Sequence, residues 1–463
     1  MAARPAGGPV VVAVDFGASS IRVCRVDLGA RPPAVEVVHR HGHGPVADGA
    51  GRLRWDWERL VAEMDAGLVA AVARGPVASI GVDTWGVDYG LLDERGVLVA
   101  PPFSYRDDRT AGYASVVAAA GGPAALYATT GVQLQAFNTI FQVAAHDRRE
   151  LARARHLVLL PELLVHHLTG AILAERTSAG TTGLVDITAG DWSADLAAAA
   201  GLDPALLPPI GAAGECAGVW HGIPVHLVGG HDTASAVVAM GAAAGPHVAF
   251  VSAGTWLLVG REQAAPDLGE AARAGNFTNE IGALGGVRFL KNLAGSWLVE
   301  GCRRAWGDPP VADLLAAAAD VDDELPLLDV ADERFLHPSD MLAEVTAALG
   351  WAIEGAPPLV VAAIVASQAA GTAAVLDRLG GVDEVAVFGG GGRSARYRRS
   401  LAARTGLPVV QGPVEATALG NALVQGIALG RYADLADARA QLAPATAGTA
   451  AVAGATVRTA GDR

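Results

Sequence analysis

The chain has 463 residues, more than one hydrophobic core usually organises, so two domains are expected. Its 34 basic against 48 acidic side chains give a formal charge of −14, which argues against a nucleic-acid scaffold or a protein held on an anionic membrane surface. Hydrophobic residues make up 51% but aromatics only 5%, so the apolar content is mostly Ala, Val and Leu and periodicity is a weaker guide than usual.

Residues 1–8 read as a loose leader without a signal-peptide cleavage site. Strands are predicted over 10–16, 21–27, 35–40, 80–83 and 89–92, with a helix over 57–73 between the third and the fourth. This order predicts an α/β sheet that opens with an antiparallel ribbon. The longest uncharged run, 233–260, would be long enough to span a membrane, but Gly245 and Pro246 break it between ASAVVAMGAAAG and HVAFVSAG. A lipid-exposed break would leave backbone groups unsatisfied, so the run reads as buried core. The second half then repeats the first: the hairpin HVAFVSAGTWLLVG, an Ala-rich helix over 358–379, the strand EVAVFGG, a helix from near Ser394, the strand LPVVQG and a closing helix from about Glu415. The boundary is expected near 242–246, giving domains over 1–243 and 244–443 and a weakly ordered tail over 444–463. Cys24, Cys216 and Cys302 are too scattered for a disulfide framework or a zinc cluster and fit a reducing cytoplasm.

The two halves share a strand-turn-strand. The first copy, VVAVDFGASSIRVCRVDL, turns through Asp15, Gly17, Ala18, Ser19 and Ser20, and the second turns through Ser252, Gly254 and Thr255. Glycine admits close approach, so the amides and hydroxyls of such a turn make a concave donor surface for phosphate oxygens. Phosphoryl transfer needs a carboxylate that can hold magnesium, donors for the phosphate and a positive charge, and Asp15, the two serines and Arg22 are of these types. An ordinary hairpin with Asp in its turn is the plain alternative; the second turn and the glycine run 389–392 weigh against it. A Walker A loop is excluded, since the one lysine, Lys291, has no GxxxxGK[ST] around it. FGGGGR ends a strand and enters a helix, where open α/β sheets bind ligands, so the backbone at Gly390 and Gly391 is expected to lie flat against a nucleotide. A flexible loop is the alternative. Asp232 in GGHDTASAV sits where the strand IPVHLVG crosses into an apolar helix, a rigid place for a catalytic base. A helix N-cap, at Asp232 or Thr233, is the alternative.

In that order, DFGASSIR, IGVDTWGVDYGLLDERG, YRDDRT, FNTIFQ, GGHDTASAV, SAGTW, FLKN and GPVEATALGN resemble the FGGY carbohydrate kinases, and most of all their rhamnulokinase branch, over roughly 10–429. The resemblance implies an α/β, two-domain actin-like (ribonuclease H-like) duplicated fold with a cleft between domains. It also implies ATP- and Mg2+-dependent phosphorylation of L-rhamnulose at its C1 hydroxyl. Asp232 then matches the base, Asp15 the carboxylate that positions magnesium through water, and Arg22 the phosphate-facing arginine beside the turn of Gly17, Ala18, Ser19 and Ser20. Thr255, Glu300, Gly390 and Gly391 match nucleotide contacts; Trp85, Gly86, His231, Thr233 and Asn292 match sugar contacts. The same chemistry on L-fuculose or another ketose or polyol is the alternative within the family, and a non-catalytic actin-like nucleotide switch the alternative outside it. The expected partners are the sugar and ATP, without nucleic acid or membrane, in a monomer or homodimer.

Three residues depart from the family pattern. Ile21 replaces a common glycine and is expected to narrow the phosphate turn; Glu300 replaces a glutamine and would be repelled by ATP unless it pairs or points away; Glu162 replaces an aspartate. His39, His41 and His43 are expected in an exposed glycine-rich hairpin tip rather than a metal site. Of Trp55, Trp57 and Trp85, the last is best placed to stack on a sugar. Lys291 suits either a ligand contact or a structural ion pair.

Overall fold

A computed structural model describes residues 8–241, 244–322, 324–336, 338–351 and 356–442, so the expected tail and nearly all of the leader lie outside the described residues. The chain divides into two compact units. One comprises Met1–Ala242, Glu262–Leu290 and Glu415–Pro444; the other is built on Ala243–Arg261 and Lys291–Val414.

In the first unit, β1 (Val10–Gly17), β2 (Ser20–Asp27) and β3 (Ala34–Gly42) form the expected antiparallel ribbon. Helix α1 (Trp57–Val72) starts at Asp56, whose side chain accepts from the Arg59 amide. Its Leu60, Met64 and Leu68 recur every four residues on one buried face. Next come β4 (Ile80–Thr84), α2 (Leu160–Thr169), β5 (Cys216–Trp220), β6 (Ile223–His226) and α3 (Asp232–Val238). The sheet order is β5-β6-β4-β1-β2-β3, with β4 parallel to both β1 and β6. Val11, Val12, Val14 and Phe16 of β1 are fully buried, as suits a central strand of β-branched residues covered on both faces. Tyr89–Leu92 forms, but it pairs with His156–Leu159 in a separate ribbon rather than joining this sheet.

The second unit repeats the plan. β7 (Val248–Ala253) pairs antiparallel with β8 (Trp256–Gln263). The hairpin of β9 (Thr278–Ile281) and β10 (Val287–Ala294) follows in the chain, with β9 and β10 as far as Leu290 belonging to the first unit. Then come α4 (Pro357–Leu379), β11 (Glu384–Phe388), α5 (Ala395–Thr405, capped by the Ser394 side chain) and β12 (Val409–Gln411). β11 runs parallel to both β7 and β12, as β4 does to β1 and β6. Helix α4 is long and apolar enough to cross a membrane by composition, with a mean hydropathy of 2.0, but 72% of that stretch is buried within the protein.

The closing helix α6 (Ala416–Ala428), expected with the second half, belongs by its packing to the first unit. Asn421 Nδ2 donates to Asp83 Oδ2 at 2.6 Å, and Gln425 Nε2 donates to the Val12 carbonyl at 3.0 Å. A Cβ on Gly420 would lie 1.7 Å from the Ser235 carbonyl oxygen, so only glycine lets α6 come this close to α3.

Candidate active site

The first turn is built by β-sheet register. Asp15 and Arg22 are directly opposed across β1 and β2, and the chain reverses through Ala18 and Ser19 between Gly17 and Ser20. Arg22 Nη2 lies 2.6 Å from Asp15 Oδ2, and Arg22 Nη1 donates to Glu415 Oε2 at 2.7 Å. This carboxylate is fully buried, with Oδ2 against the Arg22 guanidinium and Oδ1 without a hydrogen-bond donor. Burial pushes its pKa up to about 6; Arg22 offsets part of this, and the Asp232 and Glu415 charges add to it. Asp83 stands beside Asp15 in the parallel β1–β4 register, and burial, then Asp15, raise it well above the usual range. Ile21, expected to crowd the turn, is fully buried in the core opposite Phe16 and takes no space from it.

His43 is nearer the turn than expected. The strand carrying His39 and His41 runs through Gly42, which replaces the anticipated exposed tip; those two histidines face Glu63, at 2.7 and 3.6 Å. His43 Nε2 lies 2.9 Å from the Gly17 carbonyl, and burial lowers its pKa to about 4, so the ring is neutral and donates to the turn. The same ring packs on Trp55 and Trp85, with centroids 5.6 and 5.5 Å away. Both indoles are buried and donate to Asp88 Oδ2, so Trp85 is anchored in the wall behind Gly86. Gly86 itself lies against His231, whose Cδ2 would be 3.5 Å from an added Cβ. Val87, next in the chain, has φ +68°, a strained conformation for a β-branched residue. Its carbonyl is held by Thr139 Oγ1 and Gln142 Nε2, both from the FNTIFQ segment.

The loop from β6 into α3 carries His231, Asp232 and Thr233. The cap position falls to His231. Asp232 is the first helical residue, and its carboxylate caps nothing: Oδ1 accepts from Thr233 Oγ1 at 3.2 Å and lies 3.5 Å from His231 Nε2. Its side chain is 27% exposed. The loop is fixed from beneath. Glu175 Oε2 accepts the Gly230 amide at 2.9 Å, Thr177 Oγ1 accepts the His231 amide at 3.1 Å, and the Gly230 carbonyl accepts the Thr84 amide at 2.8 Å. Glu162 on α2 lies under the same glycine, and burial together with the Glu175 charge raises its pKa well above the usual range.

Two contributors went unnoticed in the sequence, Glu280 and Arg288. They form a buried ion pair of 3.0 Å across the β9–β10 hairpin, beside His231. The available signal was a pair of opposite charges placed symmetrically about the glycine turn of TNEIGALGGVRF.

In the second unit, the turn at Gly254 and Thr255 is latched by backbone bonds from Gly295 to Thr255 at 3.1 Å and from Ser296 to Gly254 at 2.9 Å. Gly390 and Gly391 lie in a short 3-10 turn between β11 and α5, and an added Cβ at Gly391 would meet Ala253 Cβ at 2.7 Å. The glycine run therefore presses against the second turn. Glu300 is paired with Arg303 at 2.6 Å on a helix surface, which answers the concern over an unpaired carboxylate. Asn292 is half-buried on β10.

Two six-stranded sheets, each opening on a hairpin with a glycine turn whose first strand is flanked by a parallel strand, define the two-domain actin-like α/β fold. The chain belongs to the FGGY family of carbohydrate kinases, whose N-terminal domain matches residues 10–239 and whose C-terminal domain matches residues 249–429. It is accordingly an ATP-dependent sugar kinase. It is 35% identical over 447 residues to a rhamnulokinase of Klebsiella pneumoniae, covering 92% of this chain and 91% of that protein. A Bacteroides thetaiotaomicron rhamnulokinase is 34% identical over 449 residues, covering 92% of each. Among solved structures, the xylulose kinase of Lactobacillus acidophilus superposes with a TM-score of 0.75 at 14% identity, covering 93% of this chain and 91% of that one. The ADP complex of Plasmodium falciparum glycerol kinase gives 0.71 at 14% identity, covering 95% and 93%.

Proposed function

We propose that this kinase transfers the γ-phosphate of ATP to the C1 hydroxyl of L-rhamnulose, with Asp232 as the base. The observation that carries the chemistry is the Asp232 carboxylate, partly exposed, engaged in no cap and steadied on one oxygen by its own loop. The substrate assignment is supported by the two rhamnulokinases, each matched over 92% of the chain.

In this reading Asp232 takes the hydroxyl proton as the sugar oxygen bonds to the γ-phosphorus and the bond to the ADP oxygen breaks. The amides and hydroxyls of Gly17, Ala18, Ser19 and Ser20, with Arg22, meet the charge that spreads over the phosphoryl oxygens. Removing the proton contributes roughly 10²–10⁴-fold. Gly86, His231, Thr233 and Asn292 orient the sugar against a wall that Trp85 supports. Thr255, Gly390 and Gly391 receive the nucleotide, and Glu300, already paired with Arg303, borders it.

The buried Asp15 carboxylate, with Oδ2 against Arg22 and Oδ1 without a hydrogen-bond donor, suits a hard cation. Among the described residues no three acidic, histidine or cysteine side chains converge to chelate one, so Asp15 would hold magnesium through water. When bound, that ion neutralises phosphate charge. The three unpaired cysteines are in keeping with a cytoplasmic enzyme.

The test is magnesium- and ATP-dependent ADP release over L-rhamnulose, L-fuculose, L- and D-xylulose, L-ribulose, D-fructose and glycerol. Highest kcat/KM on L-rhamnulose is expected; a higher value on another member of the panel would replace the substrate while keeping the chemistry.

A further inference from the structure

Glu280 and Arg288 have no role in the reaction as described so far, yet both are buried and they face each other in the β9–β10 register. A buried ion pair loses much of its attraction to desolvation, so packing alone would be served as well by apolar residues. This pair is aimed at a ring. Arg288 Nη2 lies 3.3 Å from His231 Nδ1, and Glu280 Oε2 lies 3.3 Å from the same nitrogen. Arg288 Nη1 is 3.0 Å from Glu280 Oε2. On the far side of the ring, His231 Nε2 is 3.5 Å from Asp232 Oδ1.

A guanidinium can only donate. Glu280 Oε2, at the same distance from Nδ1, has no hydrogen-bond partner, so Nδ1 accepts from Arg288 and the proton of the neutral ring sits on Nε2, toward Asp232. Thr233 Oγ1 donates to the same Oδ1 at 3.2 Å. We propose that Arg288 and Glu280 are positioning residues acting through His231: they fix its tautomer and tilt, so that its Nε2–H faces Asp232 Oδ1, which accepts from Thr233, and Oδ2 is left to take the sugar proton. Glu280 supplies the counter-charge that keeps the guanidinium in place. Burial raises its pKa, but the Arg288 guanidinium opposes this and the carboxyl lies below its usual value. The proposal rests on Asp232 being the base.

The test uses the full chain labelled with 15N at its 12 histidines, with His231 assigned by the signals lost in His231→Gln. Long-range 1H–15N spectra read the tautomer directly. The wild-type ring is expected to carry its proton on Nε2, and a ring protonated on Nδ1 alone overturns the proposal without recourse to any variant. The double substitution Arg288→Met/Glu280→Gln removes both charges together and leaves neither unpaired in the core. It is expected to disturb the His231 tautomer and to lower kcat roughly 10–100-fold with KM for ATP unchanged. A folded double variant with wild-type kcat overturns the proposal. Asp232→Asn, assayed alongside, separates the two failures. If it turns over normally, the base reading fails and the positioning role falls with it; if it is inactive while the double variant is not, only the positioning role fails.

Discussion

Asp15→Asn should make the protein more stable and nearly inactive. In the folded chain burial raises this carboxyl from its ordinary 3.8 to about 6, so ionisation is favoured more in the unfolded chain than in the folded one. The sign follows. The cost is absent below pH 3.8, grows as pH rises through the interval to 6 and is complete above it. The separation corresponds to about 3 kcal/mol at pH 8 and to roughly half of that at pH 5. Asparagine has the shape of the protonated acid, so the variant should gain those amounts over the wild type. Asp83 adds in the same direction, because Asp15 is the second largest cause of its raised pKa. Turnover should fall roughly 100-fold or more, because the phosphate turn loses the carboxylate that pairs with Arg22 and would hold magnesium. Urea denaturation followed by tryptophan fluorescence, with Trp55 and Trp85 reporting on the first unit, measures the difference at both pH values. A variant no more stable than the wild type at pH 8, or one whose advantage is larger at pH 5, would refute the reasoning.

Glu162→Gln should be more stable than the wild type at pH 7, because burial and then the Glu175 charge raise this carboxyl well above its usual range, so ionisation is favoured more in the unfolded chain than in the folded one. Its advantage in thermal midpoint should shrink as pH is lowered toward 4.5, the ordinary value for this carboxyl; a variant less stable than the wild type at pH 7 would refute this reading. Gly420→Ala gains about 1 kcal/mol of helix propensity but sets its Cβ 1.7 Å from the Ser235 carbonyl. A net loss of about 2 kcal/mol or more is expected in denaturant titrations, and an unchanged midpoint would mean that α6 can shift off α3 at little cost.

The local elements were legible because each carries its own signal: β-branched runs for β1 and β7, the 57–73 pattern for α1, and Ser394 as a cap for α5. The duplicated hairpin followed from two glycine turns with hydroxyls. What the local pattern could not supply was long-range pairing. Nothing in YGLL chooses His156–Leu159 over the main sheet, and nothing in α6 declares that Asn421 will meet Asp83, which is 338 positions away in sequence. Alternation along β2 does put Ile21 on the face opposite Arg22, so its burial was recoverable from the strand's period of two. Glu280 and Arg288 escaped because a charge in a strand reads as a solvated position until its opposite number is known to face it across the hairpin.

The central claim, Asp232-dependent phosphorylation of L-rhamnulose at C1, is tested most directly by phosphorus NMR of the product formed from L-rhamnulose and ATP by the wild type and by Asp232→Asn. The account predicts a phosphate monoester split into a triplet by the two protons of a primary carbon, formed by the wild type and reduced at least roughly 100-fold in the variant with an unchanged unfolding midpoint. A doublet from a secondary carbon would contradict the position of transfer, and equal product from a folded Asp232→Asn would contradict the base.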